Sequence, residues 1–271
     1  MGQVVHTLPE GLPVLGVTSL AGEIYVLRPK ERDAVEVYDV ITYRLQRCLT
    51  VPNIRGFADI TSCEHYCCIY ISDHNVECIR RLDAQGLATQ WPVNDKPQGL
   101  SVNAEHNLLV TCPVARKIKE FTTDGHIVRT VCLPDDVIKP WHTVQSRSGQ
   151  FIVCHGKGGD TVRRVCMISA DGRDIVHSHG GQPGSRTDQY NVPARLAVDN
   201  DEFIFVVDVN SRRVTLLSPT LHYVRQVVSS DQLKWRPTRL YLDVERKYLY
   251  VADNEWKDGM YTAGRVVVFR V

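Results

Sequence analysis

Pro193-Ala-Arg-Leu-Ala-Val-Asp199, Phe203-Ile-Phe-Val-Val-Asp208, Arg213-Val-Thr-Leu-Leu-Ser218 and Tyr223-Val-Arg-Gln-Val-Val228 come one after another with only turns and short loops between them. Each phrase has the length of a strand and is rich in β-branched and apolar residues. The connections are too short for helical crossovers, so the run reads as a four-stranded antiparallel meander. The second phrase is apolar at consecutive positions, as a strand covered on both faces must be. The outer phrases mix in polar residues. Along the rest of the chain, the apolar triplet of that second strand returns as Ile24-Tyr-Val26, Ile69-Tyr-Ile71, Leu108-Leu-Val110, Phe151-Ile-Val153, Ile204-Phe-Val206 and Leu249-Tyr-Val251. The spacing is irregular at roughly 40 to 50 residues, a period of propeller blades rather than of helical arrays. Asp83-Ala-Gln-Gly86, Thr123-Asp-Gly125 and Asp171-Gly172 supply turn residues between third and fourth strands.

Units of this length use nearly all of the 271 residues, so the expected fold is all-β, a six-bladed β-propeller of four-stranded antiparallel blades, as one domain over 1–271. The last repeat offers Arg239–Asp243, Tyr248–Ala252 and Arg265–Val271, one strand short of a blade. Residues Gln3–Leu8 read as a strand that completes it, closing the ring and removing an exposed edge.

The phrases at Pro193–Asp199 and Phe203–Asp208, with Asn210-Ser-Arg-Arg-Val214, resemble the NHL repeat, whose pattern is Pro-x-Gly-Ile-Ala-Val-Asp, then Tyr-Val-Ala-Asp, then Asn-x-Arg-Val. Gly180-Gly181 and Asp188-Gln-Tyr-Asn191 resemble that family's inter-blade linker. The match is good in repeats three, five and six and loose in one, two and four. The resemblance implies an NHL-type propeller such as caps tripartite-motif (TRIM-NHL) ubiquitin ligases, where it forms the substrate-recognition end. It also raises RNA binding as a use of one face.

Basic and acidic residues number 32 and 31, so net charge predicts no bulk attraction to DNA or a membrane. No apolar run approaches the roughly 20 residues of a membrane span, and Met1-Gly2-Gln3-Val4-Val5 does not read as a signal peptide. A cytoplasmic location is expected. Nine cysteines without fixed spacing read as reduced thiols. Cys63, Cys67, Cys68 and Cys78 lie near His65 and His74, but adjacent strand residues Cys67 and Cys68 point to opposite faces. No metal site and no cofactor are expected.

In such a meander the loops between second and third strands, and those between blades, emerge on one face, here called the top. Antiparallel pairing predicts ion pairs Arg55–Asp73, Arg195–Asp208 and Arg239–Asp253 along its edge. Blades three and four carry Gly99 with Cys112 and His142 with His155 at the equivalent positions, and in blade one Arg28 replaces the aspartate. Cys112, His142 and His155, beside Trp141, hold the ingredients of an activated thiolate, which needs a base within hydrogen-bond reach. Such triples arise easily among nine cysteines and ten histidines, and no enzyme is expected.

The segment Asn254–Gly264, with Trp256 and Tyr261, reads as a loop longer than its counterparts, and such loops on a rigid scaffold carry recognition. The resulting expectation is a non-catalytic module that binds a protein or peptide across the top face, with Trp141, His142, Tyr190, Trp235 and Trp256 as anchors. The alternative partner is single-stranded or hairpin RNA held by Arg55, Lys96, Lys139, Arg195, Arg236 and Arg239.

Overall fold

The computed structural model describes residues 1–29, 34–51, 57–83, 86–156 and 159–271, with residues 57 and 58 described by backbone alone. Among these, six four-stranded antiparallel sheets succeed one another in chain order. Blade 1 is β2 (Gly16–Leu20), β3 (Glu23–Leu27), β4 (Val35–Asp39) and β5 (Leu45–Leu49); blade 2 is β6 (Phe57–Cys63), β7 (Cys68–Asp73), β8 (Cys78–Asp83) and β9 (Ala88–Pro92). Blade 3 is β10 (Leu100–Val102), β11 (Leu108–Cys112), β12 (Lys117–Phe121) and β13 (Ile127–Cys132); blade 4 is β14 (Pro140–Gln145), β15 (Phe151–His155), β16 (Arg163–Ile168) and β17 (Ile175–Gly181). Blade 5 is β18 (Pro193–Val198), β19 (Ile204–Asp208), β20 (Arg213–Leu217) and β21 (Tyr223–Val228).

Blade 6 takes its first three strands from the end of the chain, β22 (Arg236–Asp243), β23 (Tyr248–Lys257) and β24 (Met260–Arg270), and its outer strand from β1 (Gln3–Thr7). Val4 pairs with Phe269 and Thr7 with Val267, so the predicted closure of the ring is what the chain does. The latch extends past the strand. Asn254, buried in β23, accepts from the Val14 amide (2.8 Å) and donates to the Val14 carbonyl (2.8 Å) and to Thr238 Oγ1 (2.6 Å).

The core is divided among the gaps between neighbouring blades, one apolar cluster per gap. This explains the second strands: β7, β11, β15 and β19 are buried along their whole length because each is covered on both faces. Two local details differ from expectation. Cys67 lies in the turn before β7, with φ 46°, not in a strand. The segment 254–264 continues β23 and β24 as a paired hairpin, Trp256 opposite Tyr261 and Lys257 opposite Met260. Its two-residue turn, Asp258 (φ 51°) and Gly259 (φ 84°), has the left-handed pair of angles that suits a tight hairpin.

Candidate binding pocket on the top face

The innermost strand of four blades starts with a β-bulge: Phe57 opposite Asp73 then Asp59 opposite Ser72, Pro140 opposite His155 then His142 opposite Cys154, Pro193 opposite Asp208 then Arg195 opposite Val207, and Pro237 opposite Asp253 then Arg239 opposite Ala252. The extra residue re-aims the side chain that comes after it. Asp59, His142, Arg195 and Arg239 are thereby equivalent positions, and the same position is Gly16 in blade 1 and Gly99 in blade 3. A Cβ on Gly99 would stand 2.5 Å from the Trp141 carbonyl, and one on Gly16 2.5 Å from Ile60 Cγ2, so glycine lets the neighbouring blade close in.

This geometry corrects the expected ion pairs. Arg195 and Arg239 do not reach the aspartates at the ends of their partner strands. They meet Asp59, with Nε–Oδ distances of 3.5 and 3.7 Å. Blade 2 lies opposite blade 5 in a ring of six, so the carboxylate spans the axis. Asp59 Oδ2 also accepts from the Leu100 amide (3.0 Å), and His142 Nε2 stands 4.0 Å from it. Arg239 donates to the carbonyls of Leu15 (2.6 Å) and Thr238 (2.9 Å), and Arg195 to that of Ala194 (2.8 Å). One carboxylate, two guanidiniums and the His142 ring thus tie all six blades at the top of the channel. Burial, then the Arg195 charge, lowers the Arg239 pKa to about 10, with Asp59 opposing.

The terminal aspartates have another task. Asp208 Oδ1 accepts from the amides of Asn191 (2.9 Å) and Val192 (2.8 Å), and its Oδ2 faces Arg213 at 3.2 Å. Asp253 accepts from the amides of Lys234 and Trp235, both 2.8 Å, and pairs with Arg265 at 3.0 Å. Each caps the linker entering its own blade. Asp73 pairs with Arg80 at 3.5 Å, and Arg55 lies outside the described residues. Blade 1 inverts the sign: buried Arg28 donates to the linker carbonyls of Leu12 and Pro9 and pairs with Glu36.

Above this cluster lies a cavity of about 360 Å³ whose walls come from inter-blade linkers and from loops between second and third strands. Its chemistry comes from Trp141, Trp256 and Tyr261 and from Arg195, Arg236 and Arg239; the other described residues that line it are uncharged. Trp256 and Tyr261 meet edge to face with ring centres 4.8 Å apart, on the hairpin that rises from blade 6. Arg236 donates to Asn210 Oδ1 at 3.1 Å. Below the cluster the channel holds a second cavity of about 240 Å³, lined by Asp59 and His142, and Arg195 borders both.

Of the expected anchors, Trp141 and Trp256 reach the pocket and three do not. Tyr190 is 1% exposed, packed between blades 4 and 5 with its hydroxyl 3.1 Å from Thr215 Oγ1. The linker folds its ring inward, so it cannot serve as a surface anchor. Trp235 lies beside the pocket under the Lys234 ammonium, 4.4 Å from its ring centre. His142 faces the channel. Of the expected cations, Arg195, Arg236 and Arg239 converge, Lys139 is paired with Asp160 at 2.9 Å, and Lys96 is exposed away from the pocket. Sequence reasoning put Tyr261 on the recognition segment without counting it as an anchor, and missed Asp59 as the hub.

Cys112, His142 and His155 do not assemble as an activated thiol. Cys112 packs between blades 2 and 3, and burial pushes its thiol up to about 12. The buried His155 instead receives Arg164 Nε at 3.1 Å and lies 3.4 Å from Cys166 Sγ, whose thiol burial also raises to about 12. The Nε2–H tautomer of His142 donates to the Leu100 carbonyl (2.9 Å) while Nδ1 accepts from the Leu196 amide (3.4 Å). Among the described residues no three His, Cys, Asp or Glu side chains converge as metal ligands.

Burial depresses both histidines to about 4, against the partly opposing charge of Asp59 at His142 and with the Arg164 charge at His155, where Asp136 and Asp160 oppose. Their unfolded forms bind protons first, so the stability they confer is full above about pH 6.5 and lost as pH falls toward 4. Each shift amounts to roughly 2 kcal/mol between about pH 7 and about pH 5. The urea unfolding free energy is expected to drop by about 4 kcal/mol over that interval. A flat profile there would mean that the imidazoles charge as readily folded as unfolded.

No protein-family model and no curated protein matches the sequence. Solved structures do match. Virginiamycin B lyase from Staphylococcus aureus superposes with a TM-score of 0.66 at 10% identity, over 97% of this chain and 98% of that one. A streptogramin B lyase gives 0.67 at 14% identity, over 100% and 86%. Hydrazine synthase from Kuenenia stuttgartiensis gives 0.65 at 13% identity, over 98% of each. Enzymes share this propeller. The expectation that the chain is no enzyme is corrected by that finding, because two of the structures that share its whole architecture are named as lyases. At these identities the likeness carries the six-bladed fold and not the chemistry. The NHL resemblance stands as a six-bladed propeller. No helix among the described residues is long and apolar enough to cross a membrane.

Proposed function

We propose that the top-face pocket receives a segment of a protein partner, with Trp141, Trp256 and Tyr261 as its apolar walls. The observation that carries this reading is the convergence of three aromatic residues, from the bulged start of β14 in blade 4 and from the hairpin of blade 6, on one cavity of about 360 Å³. That volume lies at the small end of ligand-sized pockets, so it takes one or two side chains of a partner rather than a broad face. Trp256 is 44% exposed, held by Tyr261 beside it, and such aromatic groups serve as interface anchors at low entropic cost. Substrate recognition of the tripartite-motif kind is one setting for such a module, and nine free thiols suit a reducing, cytoplasmic one.

RNA is the poorer fit. Among the described residues, the three arginines that could meet phosphates lie in the pocket, while Lys139 is paired with Asp160 and Lys96 is not among the lining residues, so none of the other described cations expected to hold RNA extends that group.

The test is selection of a random peptide display library on the wild-type protein, with the enriched peptides then assayed for binding to Trp256→Ala. Enriched peptides are expected to lose affinity about thirtyfold, the loss typical of a hot-spot aromatic. Equal binding to both proteins would move the site elsewhere, and enrichment of single-stranded RNA but no peptide would favour the other partner.

A further inference from the structure

Among the described residues, the pocket combines aromatic walls with a lining whose charges are all of one sign. Arg195, Arg236 and Arg239 are the charged ones, and no carboxylate is among the described residues that line it. Asp59, on the channel side of the cluster, pairs with Arg195 and Arg239, and His142 is held neutral by burial. The Tyr261 hydroxyl reports the same imbalance. Burial raises its pKa, and the charges that act on it are Arg239, Arg236 and Arg195, all favouring a negative group at that place. Two of these guanidiniums are largely shielded from water, where a charge-assisted bond to an arriving anion is strongest.

The shape limits what can bring that anion. The floor is crossed by Asp59 reaching Arg195 from the opposite blade, and the hairpin of blade 6 walls one side. At about 360 Å³ the space holds little more than one or two residues of an entering chain. An internal acidic loop would have to enter and leave it, filling a small cavity twice over, whereas a chain end enters once and stops.

We propose, resting on the reading of this pocket as a peptide site, that it recognises the free carboxyl terminus of its partner, the terminal carboxylate meeting the arginine floor and the last apolar or aromatic side chain lying against Trp141, Trp256 and Tyr261. Guanidinium groups suit this task because their planar forks match both oxygens of a carboxylate.

The test uses the full chain and random seven-residue peptides displayed with free carboxyl termini, the enriched sequence then being made as the acid, as its C-terminal amide, and with one glycine added after the last residue. Fluorescence anisotropy is expected to show the acid binding at least about tenfold more tightly than the amide, with the glycine extension weakened likewise. Arg236→Gln, a partly exposed residue bonded to Asn210, is expected to remove most of the preference for acid over amide, while Trp256→Ala weakens acid and amide alike. Equal binding of acid and amide, both weakened by Trp256→Ala, would overturn the carboxylate proposal and leave the peptide pocket standing. Binding insensitive to Trp256→Ala, or enrichment of no peptide, would overturn both.

Discussion

Removing residues 1–9 is expected to cost the propeller most of its stability. β1 makes four register pairs with β24, the Gly2 amide donates to the Val227 carbonyl (2.7 Å), and the Leu8 amide to that of Val266 (2.8 Å). About five such bonds at ~1 kcal/mol each, with roughly 2 kcal/mol for the buried Leu8 side chain, compare with a typical total of about 5–15 kcal/mol. Arg28 would also lose the Pro9 carbonyl and keep a buried charge. The truncated protein should melt more than about 10 °C lower, or fail to stay soluble because the edge of β24 is opened to other chains. Melting curves that superimpose would show that the ring closes without its latch.

Asp59→Asn is expected to be the most damaging single substitution at the top of the channel. It keeps the volume and removes the carboxylate that pairs with both guanidiniums, leaving Arg195 and Arg239 buried beside each other without it. Breaking a buried ion pair from one side typically costs about 3–5 kcal/mol, because the remaining charge has lost its compensation. Urea unfolding near neutral pH measures the loss. Adding Arg239→Met to Asp59→Asn should recover part of it, and the double-mutant cycle should show a coupling of at least about 1 kcal/mol. A single variant within about 0.5 kcal/mol of wild type would mean that the cluster is held by its backbone bonds and not by the carboxylate.

The fold was legible because its information is local and repeated. The apolar second strands, the turn glycines and the orphan strand at the amino terminus each point to the same ring. Within blade 5 the predicted fourth strand, Tyr223–Val228, coincides with the observed one. The pocket was half legible: Trp141, Trp256 and Arg236 were singled out by their place in top-face connections, and Arg195 and Arg239 by their place at the starts of first strands. What could not be read was the direction of side chains. One extra residue at each bulge turned Arg195 and Arg239 from their own blade's edge toward the axis, a shift that alternation alone does not reveal. Asp59 was missed because blade 2 lacks a proline at the start of its first strand, which drew the alignment to Arg55. Matching the apolar bodies Ile60-Thr-Ser62, Leu196-Ala-Val198 and Leu240-Tyr-Leu242 would have placed it. Tyr190 misled because a linker tyrosine between polar neighbours gives no sign of being folded inward.

The run Gly16, Asp59, Gly99, His142, Arg195, Arg239 around the axis has a consequence for how a guest must sit. Six copies of one unit would by themselves offer six interchangeable orientations. Here three consecutive blades present His142, Arg195 and Arg239, while the facing half presents one carboxylate, Asp59, between two glycines, so the six azimuths are not chemically equivalent. A visitor to this hub is steered off centre, toward blades 5 and 6, and arrives with one defined heading.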